Sequence, residues 1–253
     1  MLSLSEREPS FCKLSVESRV CYRTASGPVK RPRPMPLGVP PKVWGPSGWR
    51  LLHGFAHAAA DAPTPEEARA RRARYRALVG ALSAVLPCPA CRENVAGHLK
   101  VMRFPRNAAG LPRWAFRLHH RVNGTQVSRE GPTYDAVAER YAQGAPEPFR
   151  PAEALPFMEA VVATHPGGRA ATPEYIAALQ AFIGALGPAP DGFVVFSSLP
   201  RRSDLESRMA LKRWLSEQKR SLGAAAGAEA GAASPVATMC RLGDPHSCGG
   251  PLT

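Results

Sequence analysis

The stretch "LPCPACREN", residues 86–94, is the most distinctive pattern of reactive residues in this chain. Cys88 and Cys91 flank a Pro-Ala spacer, follow an apolar run and stand where Pro89 starts a predicted helix. A sulfur in the first turn of a helix has its thiolate stabilised by unpaired amides and the helix dipole. A two-residue spacer also lets the sulfurs close a small disulfide ring. The motif alone is compatible with a redox pair, a metal knuckle or a structural bridge.

The metal and structural interpretations each meet a difficulty. A zinc site needs further ligands, usually from a second cysteine knuckle, and none follows at a suitable spacing. His98, His119 and His120 give no recognised zinc pattern. A purely structural bridge over so short a loop would restrict the unfolded chain little. We therefore expect no protein-bound metal, while the motif by itself does not decide for redox activity.

The composition limits the classes of partner. The chain has 253 residues, a formal net charge of +13 and a pI of about 10.1, yet its arginines are scattered and no recognition motif for nucleic acid is present. We therefore read the charge mainly as solvated helix faces, with nucleic-acid contact as the less favoured interpretation. The apolar stretches are shorter than a membrane span, and the N-terminus lacks an apolar signal region. No membrane association is predicted.

Composition also divides the chain into four parts. Residues 1–41 end in a proline-rich run and are predicted to be a flexible arm. Residues 42–143 show successive amphipathic helical patterns with short connections, which predict an all-α, four-helix bundle with a short fifth helix. Residues 150–222 predict a small, mostly helical domain of unknown role, with one strand-like stretch at 192–198. Residues 223–253 form a low-complexity tail, predicted to be mobile, with a cysteine pair.

Local signals place the helices of the bundle. The first is predicted from Trp44, with Ser47 as a possible cap, and the second from Pro65, because Thr64 and Glu67 have the form of a capping box. The remaining helices are predicted at 89–102, 111–123 and 133–142.

The second helix carries an apolar stripe and many arginines. The arginines are Arg69, Arg71, Arg72, Arg74 and Arg76. We expect them to form a solvated face, with a binding patch as the less favoured interpretation.

Three motifs in order resemble the Erv/ALR family of FAD-linked sulfhydryl oxidases. They are "GPSGWRLLH" from Gly45 to His53, the cysteine motif at 86–94, and "RWAFRLHHRVN" at 113–123. The resemblance covers about residues 42–143. An oxidase domain followed by an extra helical domain also looks like the arrangement found in some large DNA viruses. A thioredoxin-like fold is disfavoured because the cysteine pair follows a helical segment and not a strand.

The resemblance implies an FAD cofactor and assigns residues to its site. The positions that match the family's motifs are Gly45, Trp49, His53, Cys91, His119, Val122 and Asn123. His120 stands where the family commonly has asparagine, Arg129 would replace a basic residue on the phosphate side, and Tyr141 would replace a tryptophan. From the residues alone, Trp49 and His53 would be read as an ordinary core tryptophan and a satisfied histidine.

The mechanism that the resemblance implies gives the two sulfurs separate duties. A substrate dithiol attacks Cys88, and Cys91 faces the flavin and transfers electrons to it. Dioxygen then takes the electrons and gives hydrogen peroxide. The partners would be protein dithiols or a thioredoxin-like intermediary.

A second, mobile cysteine pair often shuttles electrons in this family. Cys240 and Cys248 lie behind a flexible stretch and could reach Cys88, and Cys12 with Cys21 are the rival pair. Incidental thiols are the alternative for either pair.

The resemblance also implies a homodimer. The chain lacks a structural disulfide that many family members have after the motif, so packing, FAD and dimerisation must stabilise the bundle. Phe55 and the apolar stripe below Trp49 are the interface candidates, and the alternative is that they fill the core of one chain.

The compartment and two other functions remain as expectations. We favour the virion or the infected-cell cytoplasm, with the mitochondrial intermembrane space as the alternative. The competing functions are a thioredoxin-like oxidoreductase without flavin and an interaction protein with a zinc knuckle.

Overall fold

The computed structural model describes residues 38–124, 132–141, 149–191 and 193–230, all within one compact unit that starts at Gly38. These ranges contain eight α-helices and no strand. The helices are α1 (Pro41–Ala60), α2 (Pro65–Val85), α3 (Pro89–Val101), α4 (Leu111–Asn123), α5 (Tyr134–Tyr141), α6 (Leu155–Ala163), α7 (Pro173–Gly184) and α8 (Arg208–Ala230). The all-α prediction is confirmed.

Local capping explains where most helices begin. The Thr64 hydroxyl accepts the N–H of Glu67 at 3.2 Å, and Pro65 supplies the fixed φ that suits the first turn of α2. The prediction that Ser47 caps α1 is wrong, because α1 begins at Pro41 and Ser47 lies inside it. Its hydroxyl instead donates to the carbonyl of Glu153 and accepts the N–H of Phe157 at 3.1 Å.

The helices on both sides of residue 150 share one hydrophobic core. Helix α1 packs on α2, α4 and α6, and α2 packs on α3 and α7. Phe157 of α6 stacks on Trp44 of α1, with ring centroids 5.5 Å apart. Close approach is needed elsewhere on α1, since a Cβ at Gly54 would lie 2.5 Å from the Phe149 ring. The boundaries of separate domains at 143 and 150 stay a prediction from composition.

The structure corrects the expectation that the arginines of α2 are solvated. Arg71 donates to the carbonyls of Asp191 and Ala58, and Arg74 pairs with the buried carboxylate of Asp191. Arg74 also donates to the carbonyls of Ala185 and Gly187 at 2.8 and 2.9 Å. These arginines fasten the loop after α7 onto α2, because carbonyls that end a helix need external donors.

Arg72 and Arg76 are also on α2, but they contact a different segment, Phe104 and Pro105. The Arg72 Nε donates to the carbonyl of Pro105 at 2.8 Å, and its guanidinium lies 5.4 Å from the Phe104 ring centroid. Arg76 lies 5.5 Å from the same ring, an arrangement that favours cation–π attraction. Of the five arginines, Arg69, which pairs with Glu66, and Arg76 keep the expected exposed positions.

The strand-like stretch at 192–198 is also corrected. Its described residues are irregular, and the N–H groups of Val195 and Phe196 both donate to the Leu186 carbonyl, at 2.9 and 3.0 Å. Both side chains are buried, so burial, and not strand pairing, accounts for the apolar run. The helical pattern of α8 continues to Ala230, past the predicted start of the low-complexity tail, and alanine is the strongest helix former.

Phe55 is unavailable for an interface. Its side chain is 0% exposed, stacks on Phe193 with centroids 4.1 Å apart, and meets the edge of Tyr75 at 5.5 Å. The choice of Phe55 as a dimer contact is therefore wrong, and the alternative, a residue that fills the core of one chain, is what the structure shows. Dimerisation itself stays a prediction.

No helix in the described part of the chain combines the length and apolarity that a membrane span requires.

Candidate functional site

The cysteine pair begins helix α3, as predicted. Cys88 is the N-cap residue with extended backbone angles, and its Sγ accepts the N–H of Cys91 at 3.2 Å. Both residues are free thiols, partly buried, and packed against the hydrophobic core. The pair is therefore held at the start of a helix that packs on both α2 and α4.

The surroundings of the Cys91 thiol oppose its ionisation. Burial, followed by the hydrogen bond and the charge of Cys88, raises the pKa of Cys91 to about 12. The backbone amide and the neighbouring Arg92 act in the opposite direction. Burial outweighs the helix terminus at this sulfur, so Cys91 stays protonated in the reduced pair.

A stacked group of aromatic rings, which we call the histidine cluster, joins α1, α4 and α5. It consists of Trp49, His53 and His57 of α1, His119 of α4 and Tyr141 of α5. Trp49 and His119 stack with centroids 3.9 Å apart and planes at 13°, and His53 Nε2 lies 3.1 Å from His119 Nδ1. Tyr141 stacks on His53 at 5.5 Å and on His57 at 5.6 Å.

Burial keeps the histidines of the cluster neutral. Burial first, then the charges of His57 and His120, lowers the pKa of His53 to about 4. Burial, then His53 and His120, lowers the pKa of His119 to about 3. Burial also lowers the pKa of His57, with Asp61 partly opposing it. A neutral imidazole both donates and accepts one hydrogen bond, which suits a polar, uncharged ligand.

The structure brings together four of the predicted cofactor residues, namely Trp49, His53, His119 and Tyr141. It places the others as follows. Val122 is partly buried against the core, Asn123 ends α4, Gly45 lies in α1, and the His120 ring is 4.2 Å from that of Phe116. Their roles at the cofactor stay predictions.

The remaining predicted residues are outside the described ranges. These are Arg129 and the tail cysteines Cys12, Cys21, Cys240 and Cys248.

The sequence reasoning missed one member of the cluster, His57, and two residues beside it, Arg50 and Glu153. His57 lies one turn after His53, so the helical spacing could have found it. Arg50 shares that face of α1, and its guanidinium pairs with Glu153 at 2.5 Å. Glu153 belongs to a 3₁₀ turn, Pro151–Ala154, that no local pattern connects with α1.

The buried polar atoms of the site that lack hydrogen-bond partners are compatible with a bound flavin cofactor. His53 Nδ1, His57 Nε2 and Arg50 Nε are buried and have no hydrogen-bond partner among the residues that the structure describes. Buried polar groups normally have partners, so these atoms point to a ligand with hydrogen-bonding groups. The flat rings of Trp49 and His119 suit a ligand that also has a ring plane. Among the described residues, no group of three or more His, Cys, Asp or Glu side chains could hold a metal ion.

Known proteins are similar to the part of the chain that contains the cysteine pair and the histidine cluster. The model of the Erv1 / Alr family matches residues 46–142, which include the cysteine pair and the whole histidine cluster. An "FAD-linked sulfhydryl oxidase" of African swine fever virus is 34% identical over 83 residues, which are 32% of this chain and 65% of that protein. A "Probable FAD-linked sulfhydryl oxidase" of Acanthamoeba polyphaga mimivirus is 32% identical over 89 residues, 33% of this chain and 58% of that protein.

The chain thus spans less than two thirds of the length of these relatives, which are viral proteins. No solved structure matches the chain.

Proposed function

We propose, on the premise that residues 46–142 belong to the Erv1/Alr family, that this chain is a flavin-dependent thiol oxidase that forms disulfide bonds in protein substrates. The observation that carries the proposal is the position of Cys88 and Cys91 at the start of α3, a helix that packs on α4, which also carries His119. The two viral relatives named as sulfhydryl oxidases support it.

The histidine cluster would hold the FAD. Trp49 and His119 offer ring planes, and His53 offers a buried hydrogen-bonding edge that is neutral at physiological pH. The chemistry supplied by a bound FAD is acceptance of the electron pair of the dithiol and its delivery to dioxygen, which yields hydrogen peroxide. The protein contributes binding, orientation and the exclusion of water.

Cys88 and Cys91 carry out the thiol–disulfide exchange. A substrate thiolate attacks the Sγ of Cys88 in the Cys88–Cys91 disulfide, a new S–S bond forms, and Cys91 leaves with the electron pair of the broken bond. The second substrate thiolate then attacks the substrate sulfur of the mixed disulfide and releases Cys88. The substrate is oxidised to a disulfide, and the pair gains two electrons and two protons.

The pKa of Cys91 in the reduced pair overstates how strongly its surroundings oppose its departure as a thiolate. Two of the three causes that raise its pKa come from Cys88 itself, and both end when Cys88 is bound in a mixed disulfide. Burial then remains as the opposing cause, against the help of Arg92 and the backbone amide. Cys91 therefore leaves the Cys88–Cys91 disulfide more readily than its pKa in the reduced pair implies.

Partners and compartment follow from the same proposal. The electron donors would be protein dithiols or a thioredoxin-like intermediary, and a tail pair, either Cys240 with Cys248 or Cys12 with Cys21, would pass electrons to Cys88. We propose a homodimer that acts in virions or the infected-cell cytoplasm, as the viral origin of the relatives suggests.

The test is the absorption spectrum of the purified full chain, followed by oxygen uptake with dithiothreitol. We expect a flavin band in the visible and oxygen consumption that Cys88→Ser and Cys91→Ser each abolish. A colourless chain that does not bind added FAD would contradict the proposal. A colourless chain with active thiols would favour a thioredoxin-like enzyme, and stoichiometric zinc would favour an interaction protein.

A further inference from the structure

Helix α1 carries three polar side chains on one face, two of them members of the histidine cluster. Arg50, His53 and His57 follow the three- and four-residue spacing that aligns side chains along a helix. Each has a buried nitrogen with no partner in the described part of the chain: Arg50 Nε, His53 Nδ1 and His57 Nε2. We call these residues the polar row of α1. His53 is 3% and His57 8% exposed, so water does not satisfy these atoms freely.

Other buried polar atoms without a partner do not form such a row. Tyr75 and Trp114 lie in the apolar core, where their rings meet edge to face at 6.3 Å. The polar row instead adjoins Tyr141, which stacks on both His53 and His57. The arrangement of three unpaired nitrogens beside a stacking surface indicates one ligand and not three separate defects.

Glu153 fixes the first member of the row. Its Oε1 accepts from Arg50 at 2.5 Å, its Oε2 accepts the N–H of Arg150 at 3.2 Å, and its carbonyl accepts from Ser47. With both carboxylate oxygens engaged, Glu153 holds the Arg50 guanidinium on the α1 face. Glu153 lies beyond the segment that matches the Erv1 / Alr family.

We propose that the polar row of α1 binds the hydroxyl-bearing part of the flavin cofactor, and that Glu153, from the region after residue 150, positions Arg50 for this contact. The inference rests on the proposed function, since it needs FAD to bind this site. It assigns cofactor contacts to Arg50 and His57 and a positioning role to Glu153.

The charge and the hydrogen-bonding groups of the polar row suit hydroxyl groups of the cofactor better than its phosphates. Burial lowers the pKa of His57, so its imidazole is neutral, and the Arg50 charge is compensated by Glu153. A phosphate oxygen accepts hydrogen bonds only and prefers uncompensated positive charge. A hydroxyl both donates and accepts, so it pairs with either tautomer of His57 and with the Nε–H of Arg50.

The test measures the dissociation constant of FAD by fluorescence titration of the full-length chain after its flavin has been removed. His57→Phe keeps a ring to stack on Tyr141 and removes both nitrogens. We expect the dissociation constant to rise about 2- to 12-fold, the loss of one hydrogen bond worth about 0.5–1.5 kcal/mol. His57→Gln, which returns a polar group near the Nε2 position, should recover most of the affinity.

Glu153→Gln tests the positioning role, with Glu159→Gln as its matched control. Glu159 is an exposed partner of Lys219, so neutralising it changes the net charge equally without touching the site. We expect Glu153→Gln to bind FAD more weakly. If the contacted hydroxyls are on the ribityl chain, the variant should also bind riboflavin more weakly. If they are on the ribose, its affinity for riboflavin should be unchanged. Both patterns support the proposal.

Unchanged FAD affinity in His57→Phe and Glu153→Gln would overturn the inference while leaving the proposed function intact. Failure of the unsubstituted chain to bind FAD would overturn the proposed function itself. If His57→Phe is unfolded by circular dichroism, the comparison of Glu153→Gln with Glu159→Gln decides alone.

Discussion

Acid should destabilise this chain through two buried histidines. The pKa of His53 is lowered to about 4 and that of His119 to about 3, whereas an unfolded histidine titrates near 6.5. Below about pH 6.5 the two histidines become protonated in the unfolded chain but stay neutral in the folded chain. The free energy of unfolding therefore falls as the pH falls. The loss continues until the folded histidines themselves titrate, near pH 4 and 3.

The magnitude follows from the two titration curves. At about pH 5 an unfolded histidine is almost fully protonated, while neither folded histidine is, and each contributes a loss of about 2 kcal/mol relative to pH 7.5. Together they give about 4 kcal/mol, an upper value because the two rings share one hydrogen bond and their protonation is coupled.

Denaturant unfolding of the full chain at the two pH values measures this loss. In a variant with His53→Gln and His119→Gln, the decrease in unfolding free energy between pH 7.5 and 5 should be smaller by about 4 kcal/mol than in the unsubstituted chain. His98→Gln, outside the cluster, is the matched control for the loss of an imidazole elsewhere in the chain. An equal decrease in the double variant would refute the argument that burial keeps these imidazoles neutral.

Three further substitutions test the core and the cysteine pair. Asp191→Ala leaves the Arg74 guanidinium without its buried partner and should lower the unfolding free energy by about 3–5 kcal/mol in denaturant melts; a loss below 1 kcal/mol would show that the pair is not buried in solution. Phe55→Ala should cost about 3–5 kcal/mol without changing the sedimentation coefficient, and dissociation of an oligomer would contradict its place in the core of one chain. Cys91→Ser should accumulate a mixed disulfide between Cys88 and a dithiol peptide, seen by mass spectrometry after mixing with the oxidised peptide, whereas an adduct in Cys88→Ser instead would reverse their roles.

Local features of this fold could be predicted from the sequence. The start of α2 follows from Thr64 and Pro65, and the start of α3 from the cysteine motif and Pro89, because capping and the fixed φ of proline act within a few residues. The facing of Trp49 and His53 on one side of α1 follows in the same way from the helical period.

Long-range pairing explains what the sequence could not predict. In the sequence, Arg74 has the pattern of an exposed helix arginine. Its pairing with Asp191 depends on the packing of α7 on α2, which no local pattern predicts. Glu153 reaches the site in the same way, through α6 and its preceding turn. Ser47 has a cap-forming side chain, yet tertiary contacts place it inside α1 with partners from the region after residue 150.

The measurement that tests the central proposal most directly is the visible absorption of the FAD-loaded chain when dithiothreitol is added without oxygen. The flavin band should bleach in the unsubstituted chain and return on admitting air, with formation of hydrogen peroxide. In a chain with Cys88→Ala and Cys91→Ala, the FAD should remain bound and the band should persist. Bleaching at the same rate in that variant, or no bleaching in the unsubstituted chain, would contradict electron transfer through Cys88 and Cys91.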